Sequence, residues 1–277
     1  MTRYSRLLLT AGGVLLSLAA TAQTRTVSGL TFVVPELQAE VALRDDDYLL
    51  VSANVLAATG RGSGTDFQTG QLRLGYEHFW SPQWSGGATL RLVGKNQQGN
   101  GEILGMAGSI MPGLLLRHSG KLGPLSFGQR LGVEYVVIPG VYRALQGDEN
   151  RALARLRLDL DHVFVASEKL ALRPRLAYEA VAYLRFQRDE GQLKERFIDF
   201  GSLRGELGLR FSPYFDLTPW VAAQTIYRNS LQFYNANGTP AGNSRYNYII
   251  PAAGLDLRFT IFPRGVEFER RQLPSQH

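Results

Sequence analysis

The sequence predicts an all-β chain, a transmembrane antiparallel up-and-down β-barrel of about twelve strands behind an N-terminal signal peptide, and three observations predict it. The stretch Arg151 to Ala166 (RALARLRLDLDHVFVA) separates by parity, with Ala154, Leu156, Leu158, Leu160 and Phe164 on one face and Arg155, Arg157, Asp159 and Asp161 on the other. A helix would scatter these residues around its circumference, whereas a strand sends successive side chains to opposite faces. The stretch is also long, about fifteen residues against the five or six usual in soluble sheets, and several other segments repeat the pattern. Short turns then alternate with long polar loops, as periplasmic turns alternate with extracellular loops in outer-membrane barrels.

The first element is the leader. Arg3 and Arg6 give a positive start, Leu7 to Ala20 an apolar core, and Ala20-Thr21-Ala22 ahead of Gln23 a small-x-small cleavage site. A membrane anchor is the other reading of this run. Its length, about fourteen residues, falls short of the roughly twenty that a helical span needs. Residues 1–22 are therefore expected to be a signal peptide, residues 23–262 the barrel and residues 263–277 a charged tail.

The strands follow in order. Glu36 to Arg44 alternates Leu37, Ala39, Val41 and Leu43 against Glu36, Gln38 and Glu40, and Asp45-Asp46-Asp47 turns the chain into Tyr48 to Ala58. The loop GRGSGTD leads to Gln71 to Trp80, and Ser81-Pro82-Gln83 makes a tight turn because proline presets the turn angle. Trp84 to Val93 returns, followed by the loop Gly94 to Glu102, a strand Ile103 to His118, the connection Ser119 to Pro124 and a strand Leu125 to Val137. Pro139 to Asn150 precedes Arg151 to Ala166, which turns at Ser167-Glu168-Lys169 into Leu170 to Gln187. The loop Arg188 to Glu195, the strand Phe200 to Phe211, the turn at Ser212-Pro213 and the strands Thr218 to Tyr227 and Tyr248 to Phe262 complete the pattern.

From Tyr48 to Phe262 this makes about ten strands, and bacterial barrels of this kind are even-numbered. The strand at Glu36 breaks that parity, so Arg25 to Val34 is expected to supply its partner, giving twelve, with ten as the fallback. A soluble lipocalin-like barrel would reverse the two faces, and the alternation by itself is symmetric under that inversion. Strand length and aromatic residues near strand ends favour the membrane, where Tyr and Trp sit at headgroup level. A mean hydropathy of -0.12 with 12 Tyr and 14 Phe fits walls that are half lipid-facing and half lumenal. The chain has no cysteine, which removes disulfides and thiolate metal sites. Its formal charge of +6 is carried largely by arginines inside alternating strands, not by the basic surface stripe that nucleic-acid binding requires.

The runs GQLRLGYEHFWSPQWSGGATLRL (70–92), FGQRLGVEYV (127–136) and RALARLRLDL (151–160) resemble the strands of an uncharacterised family of Gram-negative outer-membrane barrels. The resemblance extends over nearly the whole chain beyond the leader. It implies a barrel fold in the bacterial cell outer membrane and carries no activity and no functional residue.

Chemistry, if any, resides on the charged face. The expected lumen-lining residues are Arg73, Arg91, Arg130, Glu134, Arg155, Arg157, Asp159, Asp161, Arg173, Arg175, Glu179, Arg204, Glu206, Arg210 and Arg258, together with Glu77, Arg185 and Asp256. Guanidinium and carboxylate pair bidentately, so these residues can fill a narrow barrel as a lattice. In this set arginines outnumber acids, which also suits a narrow channel for small solutes or anions. A structural barrel, or one that binds a glycan, lipopolysaccharide or protein partner through its long loops, is the alternative. A lipid-modifying enzyme ranks third. His78, His118 and His162 sit near short-turn ends and read as an interfacial belt, and adjacency on a strand separates Glu77 from His78. No catalytic residue, metal ligand or cofactor is assigned, and the glycines of GSGTD and NQQGNG lack the strand-to-helix setting of a nucleotide site. Expected partners are outer-membrane lipid and the barrel assembly machinery, with no nucleic acid.

Overall fold

The computed structural model describes residues 24–43, 46–60, 64–95, 107–139, 151–167, 170–184, 197–229, 237 and 245–262. The expected leader, the tail, Arg185 and most of each long loop lie outside the described residues. Thirteen strands occur among those described: β1 (Thr24–Val27), β2 (Leu30–Ala42), β3 (Asp47–Gly60), β4 (Thr65–Phe79), β5 (Trp84–Val93), β6 (Ile110–Leu122) and β7 (Leu125–Val136), then β8 (Arg151–Asp161), β9 (Phe164–Ser167), β10 (Leu170–Leu184), β11 (Phe200–Ser212), β12 (Phe215–Asn229) and β13 (Arg245–Ile261).

They form a closed barrel of eleven staves, neither twelve nor ten. The ten staves from Tyr48 onward are present as expected, and the difference lies at the N-terminal edge. Arg25 to Val34 and Glu36 to Arg44 are not two antiparallel partners but parts of one stave, β1 and β2, both lying parallel along β13. The register runs from Thr24↔Tyr246 to Val27↔Ile249, slips by two residues at Ser28 and Gly29, and resumes from Ala252↔Phe32 to Ile261↔Val41. Ser28 holds the slip: its N–H donates to the Ile249 carbonyl at 2.8 Å, and its hydroxyl accepts from Leu30 N–H and from the Tyr248 hydroxyl, each at 3.0 Å. An odd number of consecutive antiparallel staves leaves the first and last pointing the same way, so closure requires a parallel ladder. The barrel is therefore mixed, not purely antiparallel.

A second expectation is refined at Arg151 to Ala166, which divides into β8 and β9. Both pair with β10 in one register, Asp161↔Arg175 and Phe164↔Leu172, so His162 and Val163 interrupt a single stave without displacing it. The strand expected from Ile103 begins at Ile110 among the described residues.

Connections at one end of the barrel are short, at 43–46, 80–83, 123–124, 168–169 and 213–214, and those at the other end are mostly long. We refer to these as the short-turn and long-loop ends. Because β2 and β13 both run from the long-loop end to the short-turn end, Thr24 lies at the former and Phe262 at the latter.

Closure decides which face is which. The charged parity is buried, with Glu77 at 0% exposure and Arg157 at 2%, while the apolar parity faces out, with Leu114 at 68% and Leu176 at 57%. This is inside-out relative to a water-soluble barrel, whose apolar set would fill the interior. Two apolar clusters occupy the interior toward the long-loop end. One is built on Phe32, Leu56, Trp220 and Ile250, and the other, across the barrel, on Val93, Met111, Val136 and Leu153. A third, on Ala42, Tyr48 and Leu50 with Phe79 and Phe262 against it, lies at the short-turn end. Ionic residues fill the middle.

Trp220 spreads its indole over Gly254 on the neighbouring strand β13, where an added Cβ would collide with the ring and with the Val34 carbonyl. Gly254→Val is expected to lower stability by about 1–3 kcal/mol, the usual range for overpacking a filled interior. An unfolding midpoint unchanged from wild type in denaturant titration would refute that packing.

Candidate functional site

The candidate site is the ionic middle of the interior, and strand parity assembles it. Each stave contributes every second residue, so Arg155, Arg157, Asp159 and Asp161 of β8 face Arg130 and Glu134 of β7 on one side and Arg173, Arg175 and Glu179 of β10 on the other. Eight arginines are buried (Arg73, Arg91, Arg117, Arg130, Arg157, Arg175, Arg204 and Arg258), as are ten carboxylates (Glu36, Glu40, Glu77, Glu134, Asp159, Asp161, Glu179, Glu206, Asp216 and Asp256). Arg155, Arg173 and Arg210 join them partly buried.

The pairs follow a rule of reach. An arginine commonly passes over its neighbouring stave to a carboxylate two staves away: Arg91 on β5 to Glu134 on β7, Arg130 on β7 to Glu179 on β10 at 3.0 Å, Arg157 on β8 to Glu206 on β11 at 2.8 Å, and Arg204 on β11 to Asp256 on β13 at 2.7 Å. Such bridges brace the wall across its curvature, where ladder hydrogen bonds tie only adjacent staves. Gly113 on β6 lets the first bridge cross, since an added Cβ there would come within 2.7 Å of Glu134 Cγ.

Two hubs organise the lattice. Glu206 meets Arg157, Arg175 at 3.0 Å and Arg204 at 2.9 Å, gathering β8, β10 and β11 at one carboxylate. Arg155 joins Glu179 at 2.5 Å and Glu134 at 3.6 Å, linking the β5–β7 bridge to the β7–β10 bridge. Around them Arg173 donates to Asp161 at 2.7 Å and Arg210 to Asp216 at 3.2 Å. Arg258 donates to Gln38 at 2.8 Å across the parallel seam. Trp220 Nε1 donates to Asp256 at 2.8 Å while its ring lies 3.8 Å beneath the Arg204 guanidinium. In so dry a setting these pairs offset, rather than exceed, the cost of removing both charges from water, and their loss one partner at a time is what destabilises.

All fifteen principal residues of the sequence-derived set face this interior, as do Glu77 and Asp256. The structure adds Arg117, Glu36, Glu40 and Asp216, with Asn54, Gln71 and Ser85 as neutral partners. The additions change the balance: among the described residues eleven arginines face ten carboxylates, so the excess of positive charge read from the sequence is small there. Arg117, which reaches Glu77 at 2.9 Å, was hidden because Leu114, Leu115 and Leu116 blur the alternation of β6. Asp216 lies ahead of the point where sequence alone begins its strand.

His78, His118 and His162 keep to the short-turn rim. His78 Nδ1 is 2.5 Å from Asp47, His118 packs on Trp84 with ring centres 4.5 Å apart, and His162 Nδ1 is 2.7 Å from the Pro124 carbonyl. Each imidazole thus engages a rim neighbour. Among the described residues no group of three His, Asp or Glu is disposed to hold a metal ion.

The fold and site define a closed, inside-out β-barrel with an ion-paired interior. No protein-family model, curated protein or solved structure matches the chain.

Proposed function

We propose that this chain is a transmembrane β-barrel of a Gram-negative outer membrane whose interior is sealed, serving as a structural or ligand-binding barrel and not as an open diffusion channel. The observation that carries this reading is the inverted polarity of the wall. A belt of exposed Leu, Val, Ile and Phe around a buried ionic interior has no stable partner in water, and it matches the hydrocarbon of a bilayer. Trp80, Trp84, His78 and His118 near the short-turn rim suit the headgroup level, and the resemblance of the arginine-leucine strands to outer-membrane barrels points the same way.

The sealed state is supported by the burial of the lattice. Water passing along the lumen would wet its side chains, yet Arg91 and Arg117 are each only 2% exposed. Recognition then falls to the long-loop end, the natural place to contact a glycan, lipopolysaccharide or protein partner on a rigid scaffold. A narrow anion path is the second reading, favoured by a small arginine-lined cavity within the lattice. Planar-bilayer recording separates the two. Folded protein, verified by heat-modifiable migration on a gel, is expected to give no discrete conductance steps, and reproducible steps would overturn the sealed reading.

A further inference from the structure

We propose that the cavity at the centre of the lattice is a binding site for a small inorganic oxyanion. It is a chamber of about 70 Å³, walled by Arg73, Arg91, Arg155, Arg157 and Arg204. Among the described residues Glu179 is the one acid on its wall, and that carboxylate is already held by Arg130 at 3.0 Å and Arg155 at 2.5 Å. The other carboxylates serving these arginines, Glu134, Glu206 and Asp256, stand behind them and not on the chamber wall.

Stoichiometry gives the chamber its character. A guanidinium carries five N–H donors and a carboxylate about four acceptor sites, so a lattice with at least as many arginines as acids has donors in surplus. Five guanidinium groups around one cavity concentrate that surplus. Asn54, Gln71, Gln224 and Ser202 on the same wall add neutral donors. A cation has no place among five positive groups. An apolar ligand would strip them of partners without replacing any. A tetrahedral or planar oxyanion presents several acceptors at the spacing guanidinium forks match, and it is small enough to fit.

Size excludes larger anions. A chamber of this volume holds on the order of five waters at 10–15 Å³ each, or one ion of a few heavy atoms. Val34 and Trp220, members of the apolar cluster on Phe32, form the non-polar part of its wall. Held by five guanidinium groups, the ion stays with the folded barrel and completes the lattice as an internal counter-charge. This inference rests on the closed barrel and holds wherever the barrel resides.

The test uses the full chain, refolded into detergent micelles in inorganic phosphate and then exchanged by gel filtration into phosphate-free buffer. Phosphorus NMR and total-phosphorus assay are expected to find about one phosphate retained per folded chain. Arg73→Gln is expected to lose it, while Arg210→Gln, whose side chain stands outside the chamber, keeps it. Should Arg73→Gln fail to show the heat-modifiable migration of a folded barrel, Gln224→Glu supplies the same readout by setting a carboxylate on the wall. Refolding in phosphate should also raise the unfolding midpoint above that reached in sodium chloride of matched ionic strength. No retained phosphate in the folded wild type, or equal stabilisation by chloride, overturns the proposal.

Discussion

Glu206→Gln is expected to destabilise the barrel by about 3–5 kcal/mol, the range for removing one charged partner from a buried ion pair. The substitution keeps shape and two polar atoms but withdraws the charge on which Arg157, Arg175 and Arg204 converge at 2.8, 3.0 and 2.9 Å. Those three guanidinium groups are buried and keep contacts with Asp159, Asp161 and Asp256. A pair closer to water should cost less. Arg210 is 28% exposed at the short-turn rim although its partner Asp216 is buried, and Arg210→Gln keeps an amide that can donate to Asp216, for a cost of about 1–2 kcal/mol. Equilibrium unfolding in urea, followed by the loss of the compact gel band, reads both. If Glu206→Gln and Arg210→Gln cost the same, the hub has no special weight, and the lattice is a set of independent pairs.

The contrast between hub and rim was only half visible in the sequence. Parity alone put Arg157, Arg175, Arg204 and Glu206 on one face of their strands, because a two-residue period is a local property of each segment. That they meet at one carboxylate depends on the stagger between staves, which comes from ladder register and is not written in any single strand. The orientation of that face was equally hidden. Charged and apolar parities exchange places without altering the pattern, and only closure, with Glu77 buried and Leu114 exposed, chooses between them.

Prolines take two different places in this barrel. Pro82 and Pro213 mark turns. In the barrel Pro35 sits within β2, paired with Leu255 across the parallel seam, and the β2–β3 ladder skips from Val33↔Ala57 to Glu36↔Asn54 around it. Pro112, Pro174, Pro219 and Pro251 likewise lie inside strands. Each such proline costs the ladder one N–H donor, and these positions depart from the usual exclusion of proline from strands bonded on both sides. The expected twelfth strand follows from the even-number rule for such barrels, whereas β1 and β2 form one stave that closes the wall by a parallel ladder.

That one-stave difference has a large and decisive consequence for where residue 26 resides. With twelve strands, Arg25 to Val34 would rise from the short-turn end, and Thr26 would share a rim with the turn at Gln83. With eleven, β1 begins at the long-loop end, and Thr26 shares a rim with Lys95. The chain has no native cysteine, so single substitutions at these exposed positions label cleanly. In a cell whose long loops face outward, a membrane-impermeant maleimide is expected to label Thr26→Cys and Lys95→Cys on intact cells, and Gln83→Cys only after the outer membrane is permeabilised, with a difference of about tenfold or more. The pairing of Thr26 with Lys95 tests the parallel seam whichever way the barrel is inserted, because inversion would exchange the two rims without separating that pair. Thr26→Cys labelling in step with Gln83→Cys would refute the seam and restore an even-numbered wall. Thr26 and Lys95 labelling together, but only after permeabilisation, would keep the eleven staves and reverse their direction in the membrane.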